Sequence, residues 1–229
     1  MSKNVYFRGM YSFTEENYLK AIYKLQEQSD VSINTNAIAL SIQTKAASVT
    51  DMIKKLSDKK LLKYEKYKGV ELTKEGKRVA LETVRKHRLW ETFLHSKLNF
   101  TWDAVHDVAE QLEHIQSAEL IDKLDEFLGF PTHDPHGDPI PGRNGEIQQS
   151  NFILLSEFKV GEKGIISGVV NHSSLFLQHL EKNQLTLGRK IKITEASAFD
   201  LSMQIVLDDK NTQQLSHEVA RNILVKKTK

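Results

Sequence analysis

From Thr14 to Gln28, Tyr18, Ile22 and Leu25 recur at helical spacing with Ala21 beside them, so the pattern predicts an amphipathic helix. Thr14 is placed to cap it, and Glu15 and Glu16 suit its positive end. A short helix is expected from about Thr35 to Ser41, and after the connection IQT a third from Lys45 to Lys59, with Val49, Met52, Ile53 and Leu56 as its buried stripe. Two short helices joined by a tight turn form a helix-turn-helix pattern. The following run, LLKYEKYKGVELT, alternates apolar and charged residues around Lys68-Gly69 and predicts a β-hairpin, a wing.

Further along, helices are expected from Lys74 to about Lys97, from about Trp102 to Ile115 and from Ser117 to Leu128. The stretch FPTHDPHGDPIPG holds all four prolines and marks a boundary near residues 130–145. Beyond about Leu154, the runs GEKGIISGVV, RKIKITEA and MQIVLDD predict a small β-rich domain. The fold class is therefore mainly α with a small β domain. The boundaries expected are 1–75 for the winged helix-turn-helix, 76–142 for a helical domain, 143–153 for a linker and 154–229 for the β domain.

Composition narrows the chemistry. The chain has 229 residues, 39% of them hydrophobic, and no cysteine, so a metal can be held only by His, carboxylate, amide or water. No apolar run approaches the roughly 18–20 residues that span a bilayer, and the first residues lack the apolar core of a secretory signal. A cytoplasmic location without membrane attachment is expected. The net charge of +2 hides an asymmetry. Residues 45–78 carry eleven Lys/Arg against five Asp/Glu, whereas residues 101–138 carry ten Asp/Glu and only Lys123. One segment suits a polyanion and the other a cation.

A recognition helix brings short side chains to base edges while basic groups meet phosphates. Lys45, Ala47, Ser48 and Thr50 stand at the start of the third helix. Lys54, Lys55, Lys63, Lys66 and Lys68 supply phosphate contacts from the helix end and the wing. In WDAVHDVAEQLEHI, His106, Glu110, Glu113 and His114 fall at i, i+4, i+7 and i+8, within an arc of roughly 100° on a helix. Val105, Val108, Leu112 and Ile115 take the opposite side. His87 and Glu91 form another i, i+4 pair on the preceding helix. Inward His/Glu pairs on adjacent helices are a common way to build a metal site. Such a set also occurs in di-metal enzymes, but a nucleophile elbow, a phosphate loop and a thiol are all missing, and the helix-turn-helix would go unexplained. The chain is read as a regulator and not an enzyme. An organic effector lodged near Trp90, Phe93 and Trp102 is the alternative to a metal.

The blocks RKHRLWETFL, WDAVHDVAEQLEH and DPHGDPIPG, in that order, resemble the diphtheria toxin repressor and manganese transport regulator family over about residues 14–142. The β-rich remainder is similar in outline to that family's SH3-like (FeoA-like) β-barrel. The resemblance implies a homodimeric repressor of metal-uptake genes that binds double-stranded operator DNA when its metal is plentiful. It implies a regulatory metal site of Asn17, Glu110, Glu113 and His114, and an ancillary site of His87, Glu91 and His106. Asn17 stands where relatives carry methionine or aspartate, and Lys20 where two-manganese members carry a second glutamate. Glu110 replaces the cysteine of iron-type members, which favours Mn²⁺ over Fe²⁺ as co-repressor, with Fe²⁺ the alternative. His172 or Glu157 would be the ligand from the third domain.

Overall fold

The computed structural model describes residues 11–28, 32–65, 69–148 and 150–228. It divides into two compact units. The first comprises the chain up to Lys86 with Glu113–Ile115 and Pro141–Glu146, and the second comprises His87–Leu112, Gln116–Ile140 and the chain from Ile147 onward.

The first unit opens with α1 (Phe13–Gln28). The Ser12 hydroxyl accepts from the Glu15 amide at 3.3 Å while the Glu15 carboxylate accepts from the Ser12 amide at 2.9 Å. This reciprocal capping box makes Ser12, not Thr14, the cap, because only Ser12 has a carboxylate three residues on that can return the bond. α2 (Thr35–Ser41) is capped by Asn34, whose side chain accepts from the Ala37 amide at 2.9 Å. α3 (Ala46–Asp58) buries Val49, Ile53 and Leu56, and α1 and α2 bring Leu19, Ile22 and Ile38 to the same core. β1 (Leu62–Glu65) and β2 (Gly69–Leu72) pair antiparallel, with Tyr64 opposite Val70. Ile33 adds a bridge to Val70. Gly69 has φ +89°, and a Cβ there would stand 2.6 Å from the Ile33 carbonyl oxygen, so the wing needs glycine at this place. The winged helix-turn-helix expected from the pattern is the observed fold. Lys66 and Lys68 at its tip lie outside the described residues.

α4 (Lys74–Leu98) follows the wing. In the second unit, α5 (Val105–Leu112) is shorter than the expected 102–115, and α6 (Ala118–Phe127) starts from the cap Ser117. Glu113 and His114 are therefore not on a helix face; each is engaged by a side chain of α1, described below. β3 (Phe152–Leu154), β4 (Lys163–Val169), β5 (Lys190–Ala196), β6 (Met203–Leu207), β7 (Asn211–Leu215) and β8 (Ile223–Thr228) form one antiparallel sheet of order β3-β8-β4-β5-β6-β7. α7 (Ser174–Lys182) and the short α8 (His217–Ala220) complete it. Its core includes Ile166, Leu180, Ile193, Ile205 and Val225, together with Trp102 from ahead of α5. The Trp102 indole N–H donates to the Pro135 carbonyl at 2.7 Å. The proline-rich segment folds as a tight turn against β4: Gly137 has φ +88°, a Cβ there would lie 2.2 Å from the Ser167 carbonyl oxygen, and the Val169 amide donates to the His136 carbonyl at 2.9 Å.

Candidate metal centre and nucleic-acid interface

Among the described residues, metal-type donors gather in both units. In the first unit Glu113 and His114 are buried and meet α1. Lys20 Nζ donates to both Glu113 oxygens, at 2.6 and 2.8 Å. His114 Nδ1 lies 2.6 Å from Glu16 Oε2, and Phe13 stacks on its ring at 4.6 Å. Lys86 Nζ lies 3.7 Å from Glu16 Oε1. Asn17 follows Glu16 and stands one helical turn before Lys20, so it shares their side of α1. Its Oδ1 is buried without a hydrogen-bond partner among the described residues. An unmet buried carbonyl oxygen is costly, and an amide oxygen, a carboxylate and an imidazole are donor types that suit a hard or borderline cation. The residues present fit a divalent metal.

In the second unit the donors gather around Glu91. Its Oε1 lies 3.0 Å from His87 Nε2, 3.3 Å from His106 Nδ1 and 3.8 Å from His136 Nδ1. His87 Nε2 and His106 Nδ1 are 3.1 Å apart. Burial alone would raise the Glu91 carboxyl, but His87 and His106 outweigh it and hold the group well below the usual carboxylate range. Burial lowers His136, against the pull of Glu91. Burial, together with Glu91 and Asp138, pushes Asp134 well above its ordinary value. Glu110 lies here, 3.6 Å from His106 Nε2, and its carboxylate, His87 and His106 offer donor atoms within 4.8 Å of one another. Glu91, Asp134 and His136 form a second such set, fully buried. Asp134 and His136 were missed from the sequence because their segment reads as a boundary by its prolines; the signal was a His and two Asp within DPHGD. His172 stacks on His136 at 5.1 Å, whereas Glu157 lies exposed on a single 3₁₀ turn.

The recognition-helix residues are open to solvent. Lys45, Ala47, Ser48, Thr50 and Lys54 are exposed, and no side chain caps the first turn of α3. Its leading amides are the kind that meet phosphate oxygens. Thr50 donates to the Ala46 carbonyl at 3.0 Å. Lys55 and Lys59 reach back to Glu15 Oε1 at 3.2 and 2.6 Å. Glu15 itself is buried, which would raise its carboxyl, but hydrogen bonds from Lys59, the Ser12 amide and Lys55 leave it below the usual value.

Residues 10–70 match the model of the iron-dependent repressor N-terminal DNA-binding domain. Residues 73–142 match the metal-binding and dimerisation domain of the same repressors, and residues 153–227 match the FeoA domain. The chain belongs to the iron-dependent repressor family. It is a metal-dependent transcriptional repressor of that family and not an enzyme. The repressor is 33% identical over 155 residues to the iron-dependent repressor IdeR of Mycobacterium tuberculosis, spanning 65% of this chain and 67% of the relative. It is 27% identical over 222 residues to the diphtheria toxin repressor of Corynebacterium glutamicum, spanning 93% and 96%. Among solved structures, a manganese-dependent transcriptional repressor in complex with manganese superposes with a TM-score of 0.81 at 33% identity, over 93% of this repressor and 100% of that chain. The manganese regulator SloR superposes with a TM-score of 0.70 at 33% identity, over 93% and 98%. No described helix of the repressor is long and apolar enough to cross a membrane.

Proposed function

We propose that the chain is a cytoplasmic, homodimeric, manganese(II)-responsive repressor that binds double-stranded operator DNA ahead of metal-uptake genes. The observation that carries the metal reading is the buried Oδ1 of Asn17, without a hydrogen-bond partner among the described residues, on the helix whose Lys20 and Glu16 meet Glu113 and His114. Asn17, Glu113 and His114 would hold the regulatory ion, and His87, Glu91 and His106 the ancillary one; Glu110, expected with the first set, stands 3.6 Å from His106 Nε2. The cation, when bound, supplies positive charge that lets an amide oxygen, a carboxylate and an imidazole converge. The remaining steps belong to the chain itself. Glu113, held by the Lys20 ammonium, and His114, held by Glu16, are the groups that would turn to the ion, and their contacts hold α1 against residues 113–114. Glu16 precedes Asn17, and Glu15 beside it grips Lys55 and Lys59 of α3, so the position of α1 is passed directly to the recognition helix. Lys45, Ala47, Ser48 and Thr50 then meet base edges, while Lys54 and the wing meet phosphates.

Manganese is favoured because the first group is oxygen-rich and free of sulfur, and manganese-dependent repressors are among the similar structures. Iron(II) is the second reading, supported by iron-dependent relatives. The deciding experiment measures binding of purified repressor to its own upstream DNA with Mn²⁺, Fe²⁺ or chelator at fixed salt, since phosphate contacts make affinity salt-dependent. Mn²⁺ is expected to tighten binding tenfold or more, a coupling of about 1.4 kcal/mol, and Glu113→Ala is expected to abolish that gain. Equal affinity with and without metal would remove the sensing mechanism.

A further inference from the structure

The β domain carries a charged feature of its own, on the face of its sheet turned away from the core. Ile166, Ile191, Ile193 and Val225 point inward and are buried, so the residues alternating with them point outward. Cross-strand partners share a face, and the register sets Lys163 of β4 opposite Lys192 of β5 on that outer side. Two residues on, Ile165 stands between Lys190 of β5 and Lys226 of β8. Four lysines thus cluster about one half-buried isoleucine.

Like charges placed directly opposite one another are destabilising, and a carboxylate between them is the usual remedy. Here the neighbouring carboxylates are engaged elsewhere. Glu162 pairs with Lys227, which belongs to the inward-pointing set of β8. Asp208 accepts from Arg189 Nε at 2.7 Å and from the Lys190 backbone amide at 2.8 Å. Among the described residues, Lys163, Lys190, Lys192 and Lys226 make no ion pair. Lys163, Lys190 and Lys192 line a cleft of about 350 Å³, at the small end of the roughly 300–1,000 Å³ of small-molecule pockets. Ile165 and Val206, the partner of Lys192 on β6, give it an apolar floor. Thr228 adds a hydroxyl, and Asp209, the one carboxylate of the lining among the described residues, adds an acceptor.

We propose that this cleft binds a small phosphate monoester. Guanidinium forks favour bidentate recognition, whereas ammonium groups act as point charges with turning donors. Three of them suit a dianion whose charge is spread over several oxygens. Lys163, Lys190 and Lys192 meet the phosphate, Ile165 and Val206 support the carbon skeleton, and Asp209 accepts from a hydroxyl of the ligand. A concave site with an apolar floor and a carboxylate suits a discrete molecule better than the convex rod of duplex DNA. The site lies within the β domain and stands whether or not the metal reading does. It gives the repressor a second input, a phosphorylated small molecule, beside its cation.

Titration of metal-free, full-length, ¹⁵N-labelled repressor with ribose 5-phosphate and with adenosine monophosphate tests this and separates a sugar phosphate from a nucleotide. At least one ester is expected to shift the amides of residues 163–165 and 190–192 saturably, with inorganic phosphate at matched ionic strength binding at least tenfold more weakly. Lys163→Gln combined with Lys192→Gln is expected to weaken the ester at least tenfold. Because the exchange removes opposed charges, the ligand-free double variant should melt no lower than the unsubstituted repressor. The ester should raise the melting temperature of the unsubstituted protein and leave that of the variant unchanged. No saturable shift with either ester at millimolar concentration, or shifts confined to other residues, would overturn the proposal even if the variant failed to fold. Inorganic phosphate binding as tightly as the esters would overturn it by reducing the cleft to a general anion trap. Displacement of the esters from these amides by a non-operator duplex would overturn it in favour of a DNA contact.

Discussion

At the scale of single residues, Lys20 is the group whose consequence is sharpest. Its ammonium holds both oxygens of Glu113 in a pair with side-chain exposures of 7% and 0%. Removing one partner of a buried pair costs about 3–5 kcal/mol where nothing else compensates, and His114 Nε2, 3.8 Å from Glu113 Oε1, offsets part of that cost here. Lys20→Met is therefore expected to lower the melting temperature of metal-free repressor and to tighten Mn²⁺ binding roughly tenfold, about 1.4 kcal/mol, as measured by competition with a calibrated chelator. Looser or unchanged Mn²⁺ binding would mean that the ammonium is not in competition with the ion. The donor types were legible in the sequence because His and Glu without counter-charge are conspicuous on an acidic segment. Lys20 as their partner was not, since 93 residues separate it from Glu113.

Among the elements, α3 was legible because Val49, Ile53 and Leu56 bury one face at helical spacing, and the hairpin because apolar and charged residues alternate along it, although of its strand residues only Leu62 and Val70 are buried. The end of α5 was not. Periodicity carries the helix on to Ile115, whereas the contacts of Glu113 with Lys20 and of His114 with Glu16 take those residues off it. Ser12 displaced Thr14 as cap through a carboxylate whose return bond no periodicity scan weighs. α1 in turn steadies α3 through Glu15. The carboxyl of Glu15 lies below its ordinary value in the folded protein, so the stability it contributes is present above the unfolded value and is lost as pH falls through the folded one. Lys55 and Lys59 are half-exposed, so Glu15→Gln is expected to cost only about 1 kcal/mol at neutral pH. Thermal melts of the two proteins should converge in acid; a constant gap across pH would show that charge is not what Glu15 contributes.

For the molecule as a whole, the family's dimerisation domain gives meaning to apolar side chains left in solvent. Phe127 and Phe130 are each 64% exposed and Leu98 is 52% exposed, at the ends of α6 and α4. Phe127 also packs against Phe93 within the chain. On the homodimeric reading proposed above, a partner subunit would cover Phe127. Phe127→Glu is expected to shift the repressor to monomer in sedimentation and to weaken operator binding by at least tenfold; a dimer of unchanged stability would place the interface elsewhere. Trp102 belongs to a different seam. It stands in the chain ahead of α5, yet its indole is part of the C-terminal core, and its carbonyl fixes His136, whose own carbonyl receives a bond from β4. A gene shortened after codon 148 would thus encode no simple two-domain version of this protein. It would leave an unburied indole and an open turn at Gly137, and a lineage that discards the β domain must first rewrite positions 102 and 136.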